Sequence, residues 1–171
     1  RWAVTDAGEN MPVDYTAVRA ENKADLAFTV VSGHWEISGL TDGTDALNSI
    51  EIVSGADAGS AGRTLLVGAG GFTTIQDALN AAEDGDTIMV AAGTYDGGFT
   101  IDKSITLLGA NWNVDPNGVT PRGPETIIRP TSNDVSYADV SESNTLIVVA
   151  ANDVTIKGLM LDGDKPSISG G

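Results

Sequence analysis

Short runs of β-branched and aliphatic residues recur along the second half of this sequence at intervals of about 17 to 22 residues. This recurrence constrains the fold more than any other feature, because the interval matches one turn of a solenoid whose equivalent strands stack on one another. The intervening segments are rich in Gly, Pro, Asn and Asp, which favour turns over the crossover helices of an ordinary parallel sheet. The runs occupy residues 87–90, 105–108, 126–129 and 146–149.

One amphipathic helix is expected over residues 73–84, ahead of these runs. Four apolar residues lie there at helical spacing and form a single stripe, which indicates that the helix covers one open end of a core. Thr73 and Gln76 have the spacing of a capping box, and Gly85 is placed to end the helix in a left-handed turn. The stripe consists of Ile75, Ala78, Leu79 and Ala82.

The first part of the chain differs in polarity and in periodicity. Residues 1–25 are polar and aperiodic, which favours an irregular arm. Two β-prone runs, 26–31 and 35–40, then flank Ser32-Gly33 and predict a hairpin or two stacked strands. We therefore divide the chain into residues 1–62, an arm with a short β-rich segment, and residues 63–171, the region of regularly spaced strands.

The charge of the chain excludes several function classes. The 24 acidic and 9 basic residues give a formal charge of −15, so a nucleic-acid partner is not expected, since phosphate contacts need clustered Lys and Arg. No run of apolar residues is long enough to insert into a membrane. The sequence has no Cys and one His, which argues against thiol chemistry, disulfides, a zinc hydrolase and a Ser/His/Asp triad.

Two segments resemble known secreted proteins. Residues 42–51, DGTDALNSIE, are similar to the segment that follows calcium-binding nonapeptide arrays in RTX-type proteins. The runs GFTTIQDALNAA (71–82), GDTIMV (85–90), GTY (93–95) and ITLLG (105–109) resemble the opening of the pectin lyase-like superfamily.

The second resemblance implies an all-β fold, a right-handed parallel β-helix with an N-terminal capping helix, over residues 63–171. The superfamily includes pectinesterases and pectate lyases, whose catalytic residues lie on later rungs than this sequence covers. The resemblance therefore implies no catalytic residue here. Together with the RTX-like segment, it favours a protein that is secreted and works outside the cell or on its surface.

Acidic turns are the candidate metal ligands. Their carboxylate oxygens suit a hard cation such as Ca²⁺, and bound calcium would screen the excess negative charge. The alternative is that these side chains only bond their own backbone in Asp-rich turns. The four candidates are Asp42, Asp45, Asp162 and Asp164.

Trp112 is the candidate glycan-binding residue. It lies in a long polar segment between two β-prone runs, and loops of this kind carry function more often than cores do. Trp35 is also a tryptophan that could stack on a sugar, but burial in the packing of the hairpin is the expected fate of that side chain.

Three functions stay open from the sequence alone. The first is a structural or adhesive extracellular module, stabilised by calcium and joined end to end through the apolar run 154–161 or through the N-terminal arm. The second is a fragment of a polysaccharide lyase, esterase or epimerase. The third is a non-catalytic module that binds polysaccharide.

Overall fold

The computed structural model describes residues 2–5, 26–40, 43–55, 62–115, 117–119, 121–130 and 145–163. These residues form fourteen strands and one helix. The strands before the helix are β1 (Trp2–Thr5), β2 (Ala27–Val31), β3 (His34–Leu40), β4 (Gly43–Leu47), β5 (Ile52–Gly55) and β6 (Thr64–Val67). After helix α1 (Ile75–Ala81) come β7 (Thr87–Val90), β8 (Gly93–Asp96), β9 (Phe99–Ile101), β10 (Thr106–Leu108), β11 (Thr126–Arg129), β12 (Ile147–Val149), β13 (Thr155–Lys157) and β14 (Leu159–Leu161).

The strands assemble into four sheets. The largest has the order β1-β5-β6-β7-β10-β13, and the second has the order β14-β11-β8. Strands β12 and β9 form a pair, and β2-β3-β4 form a separate antiparallel sheet, called here the hairpin sheet. All pairs that involve β7 to β14 are parallel, whereas β1-β5 and β5-β6 are antiparallel.

This architecture shows that the all-β solenoid expected from the sequence is wrong. The largest sheet mixes antiparallel and parallel pairs, and helix α1 lies in the chain between the parallel neighbours β6 and β7, as in a crossover unit of α/β proteins. The description that fits is a mixed α/β arrangement.

The regularly spaced runs do not stack on one another as the spacing predicted. The runs at 87–90 and 105–108 pair within the largest sheet, but the run at 126–129 pairs with β8 and β14, and the run at 146–149 pairs with β9. The segments between the runs differ in length and in the strands they contain, so equal spacing along the chain does not place these four strands in one ladder.

Helix α1 is shorter than the predicted 73–84. Thr74 is its N-cap, and the Thr74 hydroxyl accepts a hydrogen bond from the Asp77 backbone N–H at 3.0 Å. At the other end Ala82 is extended, and its N–H donates to the Leu79 carbonyl. The capping residue is therefore Thr74 and not Thr73, although the predicted apolar stripe does face the core.

The predicted hairpin is confirmed. Strands β2 and β3 pair antiparallel, with Val31 opposite His34. Ser32 and Gly33 between them have φ of 51° and 86°, and two successive residues with positive φ form the turn that matches the twist of paired strands.

Two hydrophobic cores occupy the two faces of the largest sheet. Strand β6 is buried on both faces: Leu65 and Val67 belong to the first core, and Leu66 belongs to the second. Helix α1 packs on the first core, and the hairpin sheet packs on the second. The expected division at 62/63 falls between β5 and β6, which are paired neighbours in one sheet.

Candidate ligand-binding site

The candidate site is built around the segment 109–125, which joins β10 to β11. Two local hydrogen bonds fold its first part into tight turns: the Trp112 N–H donates to the Gly109 carbonyl at 3.1 Å, and the Val114 N–H donates to the Asn111 carbonyl at 3.2 Å. These bonds fix the backbone on both sides of Trp112.

Asn111 ties the two ends of this segment together. Its side chain is buried, at 4% exposure. Its amide nitrogen donates to the carbonyls of Gly123 at 3.2 Å and Pro124 at 3.1 Å, and its amide oxygen accepts from the Gly123 N–H at 3.0 Å. A buried amide with these bonds is satisfied, so it stabilises one conformation of the loop.

Gly158 packs directly against the backbone of Trp112. It lies between β13 and β14 with φ of 72°, and a β-carbon built on it would overlap the backbone N and Cα of Trp112. Only a glycine satisfies both the positive φ and this close approach. The tryptophan backbone is thus held by its own loop and by the neighbouring strands.

Trp112 borders a cleft of about 370 Å³ between this loop and the hairpin sheet. Trp112 is 42% exposed, whereas Trp35 on the opposite side is 4% exposed and donates its ring N–H to the Gly68 carbonyl at 2.8 Å. Trp35 therefore has a structural role, as expected, and of these two tryptophans Trp112 is the one available to a ligand. Other residues that line the cleft include Phe28, Met89, Leu108 and Asn113.

The walls of the cleft are electrically neutral. None of the described residues that line it carries a charged side chain. At its margin, Arg122 and Glu125 form a two-bond pair with N···O distances of 2.7 and 3.0 Å. Hydrogen bonds from Arg122, and then from Asn111, hold the pKa of Glu125 below its usual value, and the bond to Glu125 raises the pKa of Arg122.

A second cleft, of about 360 Å³, lies beside helix α1. Its lining includes Thr74, Gln76, Tyr95 and Asp96. Burial raises the pKa of Tyr95, so the phenol stays neutral well into the alkaline range. This cleft lacks an exposed aromatic face comparable with Trp112 among its described lining residues.

The acidic residues predicted to bind metal lie in different places. Asp45 is on β4 of the hairpin sheet, and Asp162 follows β14, where it accepts a hydrogen bond from the Arg129 Nε at 2.9 Å. Asp42 and Asp164 lie outside the described residues. Within the described part of the chain, no three or more His, Cys, Asp or Glu side chains are grouped in a way that could hold a metal ion.

Sequence reasoning missed Asn111, Phe28 and the ion pair of Arg63 with Asp86. Asp86 lies between the helix end and β7, where the sequence indicates an ordinary turn before a strand, but it is 0% exposed and accepts from the Arg63 guanidinium at 2.7 and 3.1 Å. The position of Asn111 beside Trp112 in a long loop is a sequence signal that indicates a residue able to bond the loop backbone. Phe28 reaches the cleft because the hairpin sheet packs against residues that are distant in sequence. No local sequence pattern reveals this packing.

The chain matches no protein-family model, no curated protein and no solved structure. Across the described ranges, no helix has the length and apolar character needed to cross a membrane.

Proposed function

We propose that this chain is an extracellular adhesive module that binds a neutral polysaccharide in the cleft beside Trp112. The observation that carries the proposal is that Trp112 is 42% exposed while its backbone is held by the Asn111 loop and by Gly158. An aromatic side chain on a rigid support presents a large contact area at a low cost in conformational entropy.

The chemistry of the cleft favours a sugar over other small ligands. The apolar faces of pyranose rings match the aromatic side chains of Trp112 and Phe28, which line the cleft from the loop and from the hairpin sheet, and the amide of Asn113 can exchange hydrogen bonds with hydroxyl groups. The described lining has no charged side chain to pair with an ionic ligand. With a net charge of −15 on the chain, a polyanion such as polygalacturonate is repelled.

The test is binding of soluble polysaccharides by affinity electrophoresis and isothermal titration calorimetry. The panel contains neutral glucans, galactans and xylans, with polygalacturonate as the anionic comparison. Trp112→Ala should weaken binding to the best neutral polymer by about tenfold or more, because a tryptophan at the centre of a contact contributes much of its affinity. Trp112→Phe should retain part of it.

The matched control is Val119→Ser on the same loop. Val119 is fully exposed and does not line the cleft, so this variant should bind as the parent chain does. Equal affinity of the parent chain and Trp112→Ala for every polymer, or a preference for polygalacturonate, contradicts the proposal.

A further inference from the structure

One wall of the cleft beside Trp112 is the edge of a β-strand. Three consecutive residues of β2 line the cleft: Phe28, Thr29 and Val30. Successive side chains of a strand point to opposite faces of its sheet, so a cleft that reaches all three residues meets the strand along its edge. Strand β2 is an edge strand of the hairpin sheet. The cleft therefore reaches the backbone of β2 as well as its side chains.

The turn of the hairpin determines which backbone groups of β2 face outward. A two-residue turn with positive φ at both positions is closed by hydrogen bonds between the flanking residues, which here are Val31 and His34. The backbone N–H and carbonyl of Val31 therefore face β3. Because this direction alternates along a strand, those of Thr29 also face β3, whereas those of Phe28 and Val30 face the outer edge.

The outward backbone groups of Phe28 and Val30 have no hydrogen-bond partner within the described part of the chain. They comprise two N–H donors and two carbonyl acceptors. The two residues are two positions apart, which places equivalent groups about 7 Å apart along the strand. A ligand that displaces water from this edge must supply hydrogen bonds in return, since unpaired backbone groups are costly to desolvate.

Sugar hydroxyl groups can supply these bonds. A hydroxyl both donates and accepts, so one hydroxyl can accept from the N–H of a residue and donate to its carbonyl. When a pyranose ring stacks its apolar face on an indole, its equatorial hydroxyls point outward from the rim of the ring. Trp112 and β2 line the same cleft, so a ring on Trp112 can direct rim hydroxyls toward the edge of β2.

We propose that the backbone N–H and carbonyl groups of Phe28 and Val30 bind hydroxyl groups of the polysaccharide that stacks on Trp112. This inference rests on the proposed function and names the ligand class more closely: a neutral polymer whose sugars carry free hydroxyl groups at the rim of the ring. Recognition through backbone groups needs no charged side chain, in agreement with the uncharged lining of the described part of the cleft.

The first experiment is amide hydrogen exchange of the full chain, measured by NMR spectroscopy. Without ligand, the amides of Phe28 and Val30 should exchange faster than those of Thr29 and Val31, which donate to β3. The ligand is a hexasaccharide of the neutral glucan, galactan or xylan that binds best. At saturation it should slow exchange at Phe28 and Val30 by about tenfold or more, and more than at any other residue of β2.

The second experiment compares affinities by isothermal titration calorimetry. O-methylation keeps the apolar ring faces but removes the hydroxyl donors, so the methylated hexasaccharide should bind the parent chain about tenfold more weakly. Val30→Pro removes one outward N–H at an edge position where proline is tolerated, and Val30→Ala keeps that N–H. Val30→Pro should therefore bind the unmodified hexasaccharide about fivefold more weakly than Val30→Ala does.

Three outcomes would overturn these backbone contacts. If the parent chain binds and Trp112→Ala weakens binding, but exchange at Phe28 and Val30 is unchanged and the methylated ligand binds equally, the contacts are wrong while the proposed function stands. If the parent chain binds no polymer, both are wrong. If a short Val- and Thr-rich peptide displaces the hexasaccharide from the parent chain but not from Val30→Pro, the edge of β2 binds a peptide strand instead.

Discussion

At the scale of single residues, the carboxylate of Asp86 holds together the segments before and after helix α1. It is 0% exposed and accepts from the Arg63 guanidinium, from the Arg63 backbone N–H at 2.9 Å and from the Glu83 backbone N–H at 2.8 Å. The hydrogen bond to Asp86 raises the pKa of Arg63. The guanidinium also donates to the Ala81 carbonyl at the last residue of the helix.

We predict that Asp86→Ala lowers the free energy of unfolding by about 3 kcal/mol, because it removes a fully buried carboxylate that accepts from the Arg63 guanidinium and from the backbone N–H groups of Arg63 and Glu83. The matched control is Asp102→Ala. Asp102 is 65% exposed and pairs with Lys103 on the surface, so this change should cost less than about 1 kcal/mol. Urea denaturation of both variants is the measurement, and equal costs would contradict a structural role for the Asp86 pair.

The sequence predicted the exposure of the two tryptophans correctly, but it did not predict the partners of the acidic residues. Trp112 is exposed and Trp35 is buried, as their neighbours along the chain indicated. Carboxylate oxygens alone do not define a metal site, and Asp162 instead accepts a hydrogen bond from Arg129 on a different strand. Partners separated by more than thirty residues, as these are, leave no local pattern.

At the scale of elements, the apolar stripe predicts the position of helix α1 but does not determine the residue at which the helix begins. Two adjacent threonines both precede the stripe, and only the structure shows that the Thr74 hydroxyl accepts the Asp77 N–H and donates to the Asp77 carboxylate at 2.6 Å. Strand pairing is harder to predict, because short β-prone runs of similar composition fit several ladders. The sequence spacing does not reveal which runs become neighbours.

Helix capping gives the second prediction. Thr74→Ala should lower the free energy of unfolding by about 1 kcal/mol, the usual cost of losing an N-cap hydroxyl. Thr73→Ala is the control, one residue away and also exposed, and should change stability by no more than about 0.5 kcal/mol. Thermal and urea denaturation decide between them, and the reverse ranking would restore Thr73 as the cap.

The junction between β13 and β14 gives the third prediction. Gly158→Ala should lower the free energy of unfolding by about 2 kcal/mol or more, since it combines a positive φ with overlap on the Trp112 backbone. Gly163→Ala is the control, because a β-carbon there meets no atom within 4 Å. The near-ultraviolet circular dichroism of Gly158→Ala should also change, and a stable variant with the parent spectrum would argue against the support of Trp112 by Gly158.

At the scale of the whole molecule, the net charge of −15 makes stability depend on screening. We predict that added NaCl raises the melting temperature. The calcium binding predicted for the acidic turns implies that millimolar Ca²⁺ raises the melting temperature further than NaCl of equal ionic strength. Differential scanning calorimetry with calcium, magnesium and chelator is the measurement. Equal melting temperatures in calcium and in NaCl of the same ionic strength would contradict calcium binding and would attribute the stabilisation to charge screening alone.

The placement of two cores on opposite faces of one sheet has a consequence for motion. The hairpin sheet covers only the second core, so we expect it to open as a unit while the first core and helix α1 stay packed. Such an opening removes Phe28 and Trp35 from the cleft that Trp112 borders. We expect a ligand that spans the cleft to be released at the rate at which β2 to β4 open, and to slow amide hydrogen exchange in those strands.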